Sequence, residues 1–238
     1  MLKYLGSGPA VPWARMLPFL AACGGDRERA VALYRWNREV SSALFEVLLE
    51  FEVLVRTAMD DQLRRWNSAV GGGPDWVGSP AAPLNLLVSS AMAGAARRKA
   101  AGECGCAEAC VPLDEVSAQL PFGFWCSLLP DPVLLRSRAD PGPRQAARRI
   151  VWVHAVSRAF PGITEDDEVG LRQVVDPLRR LHRVRNRIAH GGDVLRADPV
   201  GCFHEMLEVS RLIDPVLVGA LREISRVEEV ASRDPRVG

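Results

Sequence analysis

An all-α fold, a helical bundle with additional flanking helices, is what the sequence predicts, and two observations predict it. Glycine and proline punctuate the chain at Gly71–Pro83, Pro130–Pro143, Pro161–Gly162 and Gly191–Pro199. The stretches between them are too long and too evenly apolar for strands, and alternating Val, Ile and Thr are scarce.

The expected helices run, in order, over Asp26–Trp36, Ser41–Trp66, Leu84–Ala101, Leu113–Leu129, Arg144–Ala159, Glu168–His190 and Phe203–Val230. The chain divides into an N-terminal extension (1–25), a single helical domain (26–230) and a C-terminal tail (231–238).

The second helix is apolar around most of its circumference. At about 100° per residue, Leu44, Leu48, Phe51, Leu54, Val55, Ala58 and Leu63 leave a narrow solvent face of Glu46, Glu50, Thr57, Asp60, Asp61 and Arg64. Glu52 and Arg56 lie opposite that face, one turn apart, where they can pair. They are either a core ion pair that fixes helix register or part of a polar site shared with another helix.

Asp176-Pro177 is a strong helix start and Gly191-Gly192 an equally clear stop. Between them Leu178, Leu181, Val184 and Ile188 form one apolar stripe. Arg179, Arg183, Asn186 and His190 line a polar face. Arg185 leans toward the apolar stripe and needs an anion: Glu52, a partner's carboxylate or a bound phosphate. His190 ends the helix, and histidine is the side chain suited to exchanging protons at neutral pH. An Arg and an Asn beside such a His suit RNA strand cleavage. The His moves a proton at the 2′-hydroxyl or the leaving oxygen, while Arg185 stabilises charge on the phosphoryl oxygens. Five residues of straight helix, however, set Arg185 and His190 about 140° apart. Two copies of the helix across a twofold axis bring them together more economically than one.

The string Leu181–Gly191, LHRVRNRIAHG, resembles the RN…AH signature of HEPN proteins, specifically the Abi-like branch. Ala32–Leu63 is similar to that family's N-terminal helices, where an acidic residue precedes an Arg by four positions, here Glu52 and Arg56. Trp76, Leu120–Leu129, Trp152 and Ala159–Gly162 resemble further landmarks in the family's order, so the likeness spans about residues 15 to 215. The resemblance implies a dimerising HEPN-type helical bundle whose Arg185, Asn186 and His190 act as a metal-independent endoribonuclease site. Glu52, Arg56, Arg179 and Arg183 would support it. It also implies abortive-infection or toxin–antitoxin biology, with RNA as substrate, an antitoxin or other regulator as a further partner, and no cofactor. An alternative within the family is a non-catalytic module that binds RNA or protein. Where many relatives carry a second His and an acidic-Pro pair after the motif, this chain has Gly191, Gly192 and Asp193, which bears on substrate contacts.

Composition narrows the classes further. Hydrophobic residues make up 48% and charged ones 25%, which suits a globular domain and is too apolar for disorder. A net charge of +1 predicts no bulk attraction to nucleic acid or anionic membrane, so a basic site must be local. Of the 30 basic residues 28 are Arg, but high Ala, Gly, Pro and Val content points to a coding bias, and Arg abundance is discounted. No run reaches the ~18 apolar residues of a membrane span. Leu20-Ala21-Ala22-Cys23 resembles a lipoprotein cleavage box, yet Pro12, Arg15 and Pro18 interrupt the apolar run before it. The expected compartment is the cytoplasm, with six reduced cysteines.

Three other clusters carry less. Cys104, Cys106 and Cys110 lack the paired spacing of a zinc site. Arg97-Arg98-Lys99 either steers RNA or, more simply, is a solvated helix end. Pro121–Trp125 offers either an aromatic platform for bases or, more simply, a packed helix start or dimer contact.

Overall fold

The structure is a computed structural model, and it describes residues 12–135, 142–164 and 167–236. It is all-helical, with no strand among the described residues. The helices are α1 (Trp13–Ala22), α2 (Arg27–Ala69), α3 (Ser90–Cys104), α4 (Leu113–Ala118), α5 (Phe122–Ser127), α6 (Pro132–Leu135), α7 (Gly142–His154), α8 (Asp167–Ala189), α9 (Pro199–Ile213), α10 (Val216–Ile224) and α11 (Val227–Ala231).

The two N-terminal helices expected from the sequence are one. α2 runs unbroken for 43 residues, about 65 Å. Asp26 starts it as foreseen, its carboxylate accepting from the Glu28 and Arg29 N–H groups at 2.9 and 3.0 Å. The polar stretch after Trp36 does not end it, because Asn37 is itself buried and accepts from the Val194 N–H at 2.8 Å. The central length of α2 is the core of the molecule: Val40, Leu44, Val47, Leu48, Phe51, Val55, Met59 and Leu63 are all sealed from solvent. Around it pack α1, α5, α8, α9, α10 and α11. The first residues, expected as an extension, include α1, whose Met16 and Phe19 enter the same core. At the other end Arg236 lies 5.3 Å over the Trp36 ring.

Asp60 corrects the expected solvent face of α2. It is 6% exposed, accepts from Trp76 Nε1 at 2.6 Å and pairs with Arg64. The indole supplies the donor that makes burial of this carboxylate tolerable.

Asp176-Pro177 is not a helix start. α8 runs through it for 23 residues with Pro177 inside. The carbonyl that Pro177 leaves without a donor belongs to Gln173, which is exposed and open to water. Three other expected helices break at prolines or turns. Leu113–Leu129 parts into α4 and α5 before Pro121, Arg144–Ala159 ends in a 3-10 turn, and Phe203–Val230 divides at Asp214-Pro215 and at Ser225. The Leu84–Ala101 segment opens with a 3-10 turn and becomes α-helical only at Ser90, capped by Ser89.

Among the described residues no helix is long and apolar enough to cross a membrane.

Candidate functional site

The structure divides the RN…AH segment between two places. Its first half faces α2 and α5. Arg185 donates from Nε to Glu52 Oε1 at 2.8 Å and lies 5.8 Å over the Phe45 ring. The anion that Arg185 requires is therefore Glu52 of the same chain. Burial pushes the Glu52 carboxyl above the ordinary carboxylate range; the hydrogen bond and charge of Arg185, and the charge of Arg56, only partly oppose this. Arg56 thus acts on Glu52 through space, while Arg185 holds its bond.

Beside this pair stands a residue that the sequence reading passed over, His182. Its Nε2 lies 2.9 Å from Asn186 Nδ2, one helical turn on. The ring packs edge-on to Phe122, with 6.0 Å between centroids. A Cβ on Gly123 would come within 2.7 Å of His182 Nε2, so the glycine of the Pro121–Trp125 stretch is what lets the imidazole seat there. Burial, followed by the charges of Arg185 and Arg183, holds the His182 pKa below that of a free imidazole. A neutral ring accepts from the Asn186 amide through Nε2.

This has a stability consequence. A depressed folded pKa means that the unfolded chain binds more protons, so stability is full above the free-imidazole pKa of 6.5 and declines as pH falls below it. Protonation also costs the Asn186 bond and adds charge beside Arg183 and Arg185. Melting temperature should fall on acidification from neutral to mildly acid pH in the wild type, and fall less in His182→Gln. Parallel curves for the two proteins would remove His182 as the cause.

The second half of the segment faces α1. His190 caps the C-terminus of α8, its N–H bonded to Asn186 O at 3.0 Å. The Gly191 N–H reaches Ile188 O and the Gly192 N–H reaches Arg187 O, both at 2.8 Å, a Schellman stop. Gly191 sits at φ +68°, and Arg15 Nη1 donates to its carbonyl at 3.2 Å. A side chain at 191 would meet both the left-handed backbone and the guanidinium, since an added Cβ lies 2.7 Å from Arg15 Nη1. Gly191→Ala is expected to cost about 1–2 kcal/mol in chemical denaturation and to displace Arg15. A loss well under that range would mean that the turn relaxes freely.

His190 is exposed and lines a pocket of about 280 Å³ with Arg15, Tyr34, Asn37, Arg38 and Asp193. Asp193 is committed elsewhere, paired with Arg187 at 2.7 Å. Side-chain contacts thus join Arg185 to Glu52 and Asn186 to His182, while His190 lines the pocket with Arg15 and Arg38.

The remaining candidates scatter. Arg179 pairs with Asp131 at 3.4 Å and ties α8 to the start of α6. Arg183 is exposed and makes no hydrogen bond or ion pair among the described residues. The aromatic stretch is internal, with Phe122, Phe124 and Trp125 all buried, so no base can stack on it. Cys126, in the same helix, is pushed up to about 12 by burial. Arg97 is tied to Asp75. Among the described residues no three His, Cys, Asp or Glu side chains are placed to hold a metal ion.

Compared with protein-family models, curated proteins and solved structures, the chain matches none.

Proposed function

We propose that the chain is a HEPN-type endoribonuclease of the Abi-like kind, a toxin or phage-defence effector that cleaves RNA by 2′-hydroxyl attack without a metal. The observation that carries this reading is His190. It is exposed at the end of α8, beside a pocket whose Arg15 and Arg38 form no ion pair among the described residues. His190 takes the 2′-hydroxyl proton or returns one to the leaving 5′-oxygen. The products are a 2′,3′-cyclic phosphate and a 5′-hydroxyl.

Arg185 bonds Glu52 and does not line the His190 pocket, so the complete site is a homodimer in which each copy's Arg185 and Asn186 serve the other's His190. Leu49 and Val53, exposed on α2 next to Glu52, offer apolar contact for the second copy. The reading places the protein in the cytoplasm, with an antitoxin or other regulatory protein as a further partner.

The test is incubation of purified protein with a mixed single-stranded RNA pool in the presence of EDTA. Cleavage with cyclic-phosphate ends is expected, and an intact pool would end the enzymatic reading. One observation favours a second reading: Arg185 is already engaged by Glu52 and Phe45. A non-catalytic module that binds RNA or a protein in a toxin–antitoxin or defence system would use Arg185 as a tie between α2 and α8 and cleave nothing.

A further inference from the structure

We infer that the pocket between α1, the start of α2 and the end of α8 seats one ribonucleotide unit of an RNA strand, its phosphate held by Arg15, Arg38 and the Asn37 amide. The inference rests on reading His190 as the proton-transfer residue and adds the substrate contacts that this reading lacks.

Charge is the first argument. Arg15 spends one nitrogen on the Gly191 carbonyl, and Arg38 makes no hydrogen bond or ion pair among the described residues. The one carboxylate in the wall, Asp193, is neutralised by Arg187 and accepts from the Leu195 N–H at 3.3 Å. Two guanidiniums therefore face the space without a counter-charge of their own, and a phosphate is the ligand that matches their forked donors.

Asn37 supplies the second argument. It is 3% exposed and lines the pocket. Its Oδ1 is taken by the Val194 N–H at 2.8 Å, which fixes the side chain and turns Nδ2 away from that bond. Nδ2 has no hydrogen-bond partner among the described residues and is not sealed from solvent, so on the pocket wall it is a fixed amide donor open to a ligand.

Shape is the third. The volume, about 280 Å³, falls near the lower end of small-ligand pockets, a match for one nucleotide rather than a duplex. Tyr34, packed edge-on to Phe19 at 5.3 Å, gives the wall an aromatic surface on which a base can stack. His190 at the same pocket puts its imidazole beside the seated unit.

The probe is a short single-stranded RNA with 2′-O-methyl riboses, which cannot undergo 2′-hydroxyl attack. Its binding is measured by fluorescence anisotropy across a salt series. Arg15→Ala/Arg38→Ala should weaken binding by about tenfold or more and flatten the salt dependence by roughly 0.7, the value for one phosphate contact on a single strand. Arg38→Gln, at a residue with no described contact to lose, should give part of the same effect at unchanged melting temperature. Arg98→Ala, which removes a similar charge on α3, should bind like the wild type. 5′-AMP should displace the strand better than adenosine does.

Wild-type binding by both pocket variants, or equal displacement by adenosine, overturns the inference. Cleavage of unmethylated RNA is scored separately. If the wild type cleaves through His190 while the pocket variants bind and cleave normally, only the pocket assignment falls. If the pocket variants lose the methylated strand while the wild type cleaves nothing, the ribonuclease reading falls and the nucleotide pocket stands.

Discussion

His190→Ala is expected to lower RNA cleavage by about 10²–10⁴-fold, the usual contribution of a positioned acid or base, at a melting temperature close to that of the wild type. The stability half follows from exposure: the side chain stands at the surface, and the bonds that stop α8 are made by backbone atoms of His190, Gly191 and Gly192. Arg185→Ala should behave differently. It removes the hydrogen-bond partner of a carboxylate that burial already penalises, leaving Glu52 with only the through-space charge of Arg56. Activity and stability should therefore fall together. Arg185→Lys keeps the charge without the planar fork and should recover stability more than activity. These profiles separate a residue that moves a proton from one that holds α2 to α8. Wild-type cleavage by His190→Ala would remove the imidazole from the chemistry.

The all-helical class was legible because nothing competed with it: strand-like alternation is scarce, and the long stretches between Gly and Pro clusters left helix as the consistent choice. Breaks were harder. Trp36-Asn37-Arg38-Glu39 looks like a polar interruption, yet the buried Asn37 carbonyl oxygen is met by the Val194 N–H, 157 positions away. No local pattern reports such a partner. Asp176-Pro177 carries the right chemistry for a helix start, and the same two residues are tolerated inside α8 because Gln173 is open to solvent. Asp60 looked exposed for the same kind of reason, since its indole donor comes from Trp76 on the following loop.

Within the site, helical projection predicted the need of Arg185 for an anion, which Glu52 supplies. His182 was within reach too: it precedes Asn186 by four residues, the spacing at which side chains on one helix meet. What drew attention away was the RN…AH string, which gives that position no role. Arg15 was not reachable at all. It meets Gly191 across 176 positions, and in a chain with 28 Arg a single one carries no signal.

Asn67→Ala should cost roughly 3 kcal/mol, because three loop groups lose their partner at once and each unsatisfied group costs about 1–3 kcal/mol. Asn67 is fully buried near the end of α2. Its Nδ2 donates to Gly73 O at 2.8 Å and Ser79 O at 3.0 Å, and its Oδ1 accepts from the Ala81 N–H at 2.8 Å. The estimate sits at the low end because Ser79 is exposed and water can replace that bond. For a chain of this size the loss corresponds to a fall in melting temperature of roughly 6–12 °C. The loop that Asn67 clamps delivers Trp76 to Asp60 and to the Phe124 and Trp125 rings. Those rings belong to α5, whose Gly123 seats His182. Loosening the loop should therefore also raise hydrogen exchange at the Ala81 amide and disturb the His182 ring. Asn67→Asp should be no milder, since it keeps the acceptor for Ala81 but aims a buried carboxylate at two carbonyl oxygens. A melting temperature within about 2 °C of wild type for Asn67→Ala, less than the shift for 1 kcal/mol, would show that the loop is held by the Trp76 packing alone.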